Sequence, residues 1–228
     1  MKVTPGALFA TLRGKHQDIV VRSTQAGHVV APHVPPKNPK TAAQVAVRTA
    51  FSAATSAYGN LAPDQQAGWD ALGASTMVTN NVGATFTLSG QQAHVSVNAT
   101  LAAAGQPTLA NAPAKVAPPV LPPSTLTCTL ANGQPSLVVH PAQQYAGLVV
   151  IYGTKPLGKG TKSPSKSTYR KIAVTNALMP AGYDVTTAYV NKFGAPPAGS
   201  KVGIKLVPVS ASGHSGLTVI DLATTTGQ

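Results

Sequence analysis

"KVGIKL", residues 201–206, sets Val202, Ile204 and Leu206 on one side of an extended chain and Lys201, Gly203 and Lys205 on the other. A period of two with one wet side is the pattern of a sheet strand that covers a core. Segments of the same kind recur on both sides of it: "TLTCTLA" at 125–131, "SLVVH" at 136–140, "GLVVIYG" at 147–153, "STYRKIAV" at 167–174, "YDVTTAYV" at 183–190 and "LTVIDL" at 217–222. Turn signals separate them, among them Asn132-Gly133 and "SGHSG" at 212–216. Roughly seven short strands in about one hundred residues predict an all-β sandwich of the immunoglobulin or fibronectin type III kind over 124–228. Within "TLTCTLA", Leu126, Cys128 and Leu130 alternate with threonines, so the single cysteine is expected in the core.

Upstream of these strands the periodicity disappears. Residues 106–123 hold Pro107, Pro113, Pro118, Pro119, Pro122 and Pro123 and predict a semi-rigid spacer of polyproline character, read as the boundary between two domains. Residues 1–105 before it are expected to be α+β. "ALFATLR", "DIVVRS" and "HVVAPHV" within 6–34 suggest a small ribbon of short strands joined by tight turns. In "PPKNPKTAAQVAVRTAF", 35–51, the prolines hold the chain extended until Thr41, which with Gln44 forms a capping box for a helix ending at Gly59. Val47, Phe51, Ala54 and Tyr58 fall on one stripe of that helix and are expected to be buried, whereas Gln44 and Arg48 lie on another line. A second helix fits "APDQQAGWDALG", with Pro63 at its first position, Trp69 and Leu72 buried and Gly73 as its stop. A third fits "SGQQAHVSVNATLAAAG", opened by a Ser89 and Gln92 capping box, with Val97, Leu101 and Ala104 on one face.

The charge inventory narrows function. Seventeen Lys and Arg stand against five Asp and no Glu, a net +12, yet only 10 % of residues are charged. So sparse a surface tolerates large contact areas, because few charges must be desolvated on burial. The absence of Glu removes the commonest paired-carboxylate arrangements for acid–base catalysis. The six histidines show no metal-ligand spacing, one cysteine excludes an intrachain disulfide, and no cofactor is expected. "GTKPLGKGT", 153–161, nearly matches a phosphate loop, but Gly160 stands where a magnesium-binding hydroxyl belongs and "KSPSKS" cannot open a helix behind it. "NAT" at Asn98 matches a glycosylation acceptor inside a predicted helix. No apolar run reaches the roughly 18–20 residues needed to span a bilayer, and "MKVTPGALFATLRGK" makes a poor signal peptide, so a start in the cytoplasm is expected unless processing has removed a leader. An enzyme is the least favoured class.

Two basic groups remain. Lys155, Lys159, Lys162, Lys166, Arg170 and Lys171 fall close together with no acid among them, a candidate polyanion-binding loop. Lys37, Lys40 and Arg48 form a weaker second set.

The motif around the first helix adds a resemblance. Asn38, Pro39, Lys40, Thr41, Gln44, Arg48 and Phe51, followed by Leu61, Pro63, Gln66 and Trp69, match N-P-[KR]-T-x-x-Q-x-x-x-R-x-x-F and then L-[ST]-P-x-x-[QR]-x-x-W. The chain resembles a family of bacterial and phage-associated proteins that carry this segment and, in several members, a fibronectin type III or immunoglobulin-like domain after a proline-rich joint. Ala62 departs from the family's capping residue. The resemblance implies a virion or surface-assembly component: a capsid, decoration or tail protein, made in the host cytoplasm, whose partners are copies of itself and other shell proteins. Weak electrostatic contact with nucleic acid or acidic surfaces is a further expectation. Asn38, Lys40, Gln44 and Arg48 are the candidate assembly contacts. The alternatives are a bacterial cell-surface adhesin or filament subunit and a nucleic-acid-binding accessory protein.

Overall fold

The computed structural model describes residues 2–3, 14–24, 27–35, 38–79, 83, 85–131, 134–175 and 178–227. The strand expected over Ala7–Arg13, the Asn132-Gly133 turn and Lys37 therefore lie outside the described residues. The protein is α+β, and its contacts divide it into two compact units, Met1–Val45 and Ala46–Gln228.

The first unit is a four-stranded antiparallel sheet of β1 (Lys2–Val3), β2 (Gly14–His16), β3 (Ile19–Thr24) and β4 (Gly27–Pro32), in the order β1-β4-β3-β2. Gln17, with φ +50°, turns β2 back into β3. Ile19 and Val34 are exposed, in keeping with a sheet too small to bury its own apolar side chains.

Helix α1 (Ala42–Gly59) begins in the first unit and runs on into the second. Its expected capping box is present: Thr41 N–H donates to Gln44 Oε1 at 3.3 Å and Gln44 N–H to Thr41 Oγ1 at 3.4 Å. Helix α2 (Pro63–Ser75) starts without a capping side chain at Ala62, but Gln65 Oε1 accepts the Ala62 N–H at 3.1 Å and holds the first turn. It does not stop at Gly73. That glycine is buried inside the helix because a Cβ there would stand 2.6 Å from the Leu88 carbonyl oxygen. A hairpin not expected from the sequence, β5 (Met77–Thr79) with β6 (Thr85–Thr87), leads to α3 (Gly90–Ala103), whose Ser89–Gln92 capping box forms as expected. Trp69, Leu72, Ala93, Val97 and Leu101 make the core between α2 and α3. Phe51, placed in that core by its spacing, is 56 % exposed, and Val47 is 70 % exposed.

Residues 106–123 have no regular structure, and they form a bound strap lying inside the second compact unit, where the sequence suggested a spacer between domains. Trp69 Nε1 donates to the Ala110 carbonyl at 2.8 Å, Asn98 pairs with the Leu109 backbone in both directions, Lys115 Nζ donates to the Ser75 carbonyl, and Leu121 is buried in the next core. Proline keeps this segment extended, and extended backbone exposes donors and acceptors that the helices satisfy.

Beyond the strap come β7 (Ser124–Ala131), β8 (Gln134–Pro141), β9 (Tyr145–Ala146), β10 (Leu148–Gly153), β11 (Arg170–Thr175), β12 (Leu178–Met179), β13 (Tyr183–Asp184), α4 (Thr186–Phe193), β14 (Lys201–Val209), β15 (Val219–Thr224) and β16 (Thr226–Gly227). Two four-stranded sheets, β13-β8-β7-β16 and β11-β10-β14-β15, contribute to one core that includes Cys128, Leu137, Val149, Ile151, Val202 and Ile204. The strand expected over 183–190 is instead the two-residue β13 followed by α4. Asp184 Oδ1 accepts the Thr186 N–H at 2.8 Å, turning the chain into the helix, and Gly194 at φ +82° ends it.

Strand β10 is buried on both faces. Val149 and Ile151 enter the core between the sheets, while Leu148 and Val150 pack outward with Val209 and Ala104, the residue that follows α3. This is why "LVVIY" reads as a continuous apolar run rather than an alternation.

Candidate functional site

Of the candidate assembly contacts, Asn38, Lys40 and Gln44 belong to the first unit and Arg48 to the second; all are exposed. Lys40 holds φ +48°, a left-handed conformation uncommon for lysine, immediately before the Thr41 cap. The Gln44 carboxamide oxygen is engaged in that cap. Arg48 lines a shallow depression on α1 together with Thr49, Ser52, Ala53 and Ser56.

A second feature of this helix is apolar. Between Ala46 and Gly59 only Ala54 is buried. Phe51 and Thr55 face Gln91, Gln92, Val95, Ser96 and Ala99 of α3 across an open groove of about 470 Å³. The expected stripe is only half covered: Ala54 is buried and Tyr58 packs against the Trp69 core, while Val47 and Phe51 stay exposed. The usable sequence signal is the helix's charge, for Arg48 is the lone charged residue among its eighteen.

Beside the groove, α1 contributes to a polar–aromatic cluster. His94 is buried, its ring edge-on to Trp69 with centroids 4.9 Å apart and tilted against Tyr58 at 5.6 Å. Tyr58 Oη donates to Asp70 Oδ1 at 3.2 Å; burial, then the neighbouring carboxylate, push the phenol's pKa up. Burial lowers the His94 pKa, with an opposing contribution from its hydrogen bond to the Ala54 backbone. The cluster has no nucleophile, and among the described residues no three His, Cys, Asp or Glu come close enough to hold a metal. Its geometry is that of packing between α1, α2 and α3.

The basic loop joins β10 to β11, closed at its base by the Gly153–Arg170 pair. A Cβ on Gly153 would meet Tyr189, Phe193 and Ile172 at 3.3–3.4 Å, so close packing accounts for the first glycine of the phosphate-loop-like motif. No α-helix follows; the loop contains only a 3-10 turn at Lys166–Thr168. It crosses the outer face of its sheet, where a Cβ on Gly203 would stand 3.2 Å from Tyr169 Oη and 3.3 Å from Pro164. Lys201 Nζ donates to the Thr161 carbonyl at 2.9 Å, and Lys205 Nζ stands 4.4 Å from the centre of the Tyr152 ring and 5.5 Å from that of Tyr169. Lys155, Lys159, Lys162 and Lys166 are exposed. Arg170 donates to the Ser167 and Tyr169 carbonyls, and Lys171 Nζ to the Ala103 carbonyl at the end of α3.

No family model matches this sequence. No curated protein matches it either. Solved structures give partial likenesses to an Fn3-like protein from Clostridium thermocellum, at 15 % identity and a TM-score of 0.29, covering 48 % of this chain and 95 % of that one. A family 76 glycoside hydrolase from a bovine Bacteroides thetaiotaomicron strain matches at 10 % identity and TM-score 0.28, over 46 % of this chain and 21 % of that one. A β-1,2-glucanase from Parabacteroides distasonis matches at 17 % identity and TM-score 0.27, over 50 % and 14 %. Likenesses at that level assign neither an activity nor a partner.

Proposed function

We propose that the chain is a structural, self-assembling protein that works through protein–protein contacts, as a capsid, decoration or tail component of a virion made in the host cytoplasm. The observation that carries the reading is the apolar stripe that α1 leaves exposed among the described residues: Val47 and Phe51 are mostly exposed and Phe51 lines an open groove, on a helix whose second-unit portion buries only Ala54. A helix with an apolar stripe gains most of its stability by covering it, and an exposed stripe flanked by polar side chains is a docking surface. The scarcity of charge supports the same reading, since few ions would be stripped of water when such a face is covered.

The choice of a virion rests on the Asn38-to-Phe51 and Leu61-to-Trp69 motifs and the family they resemble. Within that reading the carboxy-terminal body is an immunoglobulin or fibronectin type III-like sandwich, displayed by the helical part. The two sheet orders and the shared core support it. No described helix is long and apolar enough to cross a membrane.

Light scattering and negative-stain electron microscopy of the purified chain over a concentration series test the proposal. Self-association is expected, and V47S/F51S should abolish it while leaving the melting temperature nearly unchanged, because both side chains already face solvent. A chain that stays monomeric throughout, or a double variant that assembles as well as the parent, overturns it.

A further inference from the structure

We infer that the β10–β11 loop is a docking surface for the phosphate backbone of a nucleic acid, independent of whether the chain self-associates. Lys155, Lys159, Lys162 and Lys166 are exposed on a single loop whose base is closed by the Gly153–Arg170 pair. The loop is held against its sheet rather than left to wander. Leu157 pairs with Lys201 through reciprocal backbone hydrogen bonds of 2.8 and 2.9 Å, Thr154 N–H donates to the Gly203 carbonyl at 3.0 Å, and Tyr169 is buried over Gly203. Charges presented on a fixed backbone lose less conformational freedom on binding than charges on a free tail. Lys201 and Lys205, half-buried beneath the loop, add positive potential from the sheet itself.

The residue types suit a chain of phosphates. The loop's one arginine, Arg170, is exposed and spends one guanidinium nitrogen on the Ser167 and Tyr169 carbonyls, so lysines are the majority of the loop's exposed cations. An ammonium binds phosphate as a point charge, and a guanidinium pairs with phosphate as well as carboxylate, so a row of exposed lysines with one arginine can follow the spaced charges of a phosphate backbone. Tyr169 is buried and Tyr152 half-buried under Lys205, so the loop offers no exposed ring on which bases could stack. The contact is therefore to backbone phosphates, without sequence preference.

Fluorescence anisotropy with a labelled duplex DNA of arbitrary sequence, titrated over a salt series, tests the assignment on the full chain. Four phosphate contacts predict a log–log salt slope of about −3.6 and a loss of affinity of roughly a hundredfold between 50 and 200 mM salt. K155Q/K162Q/K166Q should weaken binding and flatten the slope by about 2.7. A control, K15Q/R22Q/K192Q, removes the same number of charges at exposed positions elsewhere and should retain most of the affinity. If the control loses as much as the loop variant, the attraction is diffuse net charge and the docking surface falls. A salt-insensitive parent has the same consequence and needs no variant to be seen. If polyglutamate competes as well as duplex DNA at equal charge, the surface is one for acidic proteins and the phosphate assignment is wrong.

Discussion

His94 and Trp69 meet edge to face, their ring centroids 4.9 Å apart at 81°, and both are almost wholly excluded from solvent. An imidazole in that position has little to gain from a proton. Its Nδ1 is buried without a partner among the described residues, burial depresses its pKa below the ordinary 6.5, and the Ala54 backbone offsets only part of that. The other ionisable groups beside it are Tyr58, whose phenol is pushed up, and Asp70, which accepts the phenol's hydrogen bond. Because the folded pKa is the lower one, the unfolded chain binds the extra proton as pH falls from about 6.5 to the folded value. Stability is then complete above about 6.5 and declines through that window by at most about 1.4 kcal/mol per pH unit. Urea midpoints measured between pH 8 and 4 should show this acid limb, and H94F should flatten it; an unchanged limb in H94F would assign the loss to other groups.

Two glycines at helix positions should respond to alanine in opposite directions. At Gly73 a Cβ would lie 2.6 Å from the Leu88 oxygen and 2.9 Å from Ser89 backbone atoms, so α2 and the turn into α3 would have to separate. Overpacking of this kind costs about 1–3 kcal/mol, and G73A should lower the melting temperature. Nothing lies within 4 Å of the Cβ position at Gly59, the last residue of α1. G59A should be neutral or stabilising by about 0.5–1 kcal/mol, through the lower entropy of the unfolded chain. Thermal melts of the two variants side by side decide the matter, and equal shifts would contradict the packing argument.

What the sequence made legible was local. Capping boxes at Thr41 and Ser89, proline at the start of α2 and the alternation in β7 and β14 depend on neighbours a few residues away, and each is present. Readings that depended on distant neighbours fared differently. Phe51 has helical spacing but stays exposed although Tyr58 on the same stripe meets the core; Gly73 looks like a stop but admits the Leu88–Ser89 backbone; Thr186–Phe193 looks β-branched but is started as a helix by the Asp184 carboxylate. The proline-rich segment shows its extended character in its own composition, whereas its partners, Trp69 and Asn98, lie about forty and eleven residues away in sequence and are not legible from it. The basic loop was visible as charge. Its attachment to the sheet, through Gly203 and Lys201, was not.

Asn98 connects the strap to α3. It is 1 % exposed, its Oδ1 accepts the Leu109 N–H at 2.7 Å, and its Nδ2 donates to the Leu109 carbonyl at 3.1 Å, so one carboxamide satisfies both backbone groups of an extended residue. Replacing it with alanine removes both partners and leaves the N–H and carbonyl of half-buried Leu109 unpaired, at a cost of about 1–3 kcal/mol for each group that water cannot reach. N98D keeps an acceptor for the amide but sets a carboxylate oxygen against the Leu109 carbonyl, and it should fall below the wild type and recover in part as the acid is protonated. The same burial bears on the Asn-Ala-Thr acceptor sequence. A glycan on Asn98 cannot coexist with these hydrogen bonds, so the folded chain presented to an oligosaccharyltransferase should remain unmodified by mass spectrometry. Modification of the native fold at this position would mean that the strap releases Asn98, and amide exchange at Leu109 would then be fast. Slow exchange at Leu109 in the wild type and fast exchange in N98A is the outcome the paired hydrogen bonds require.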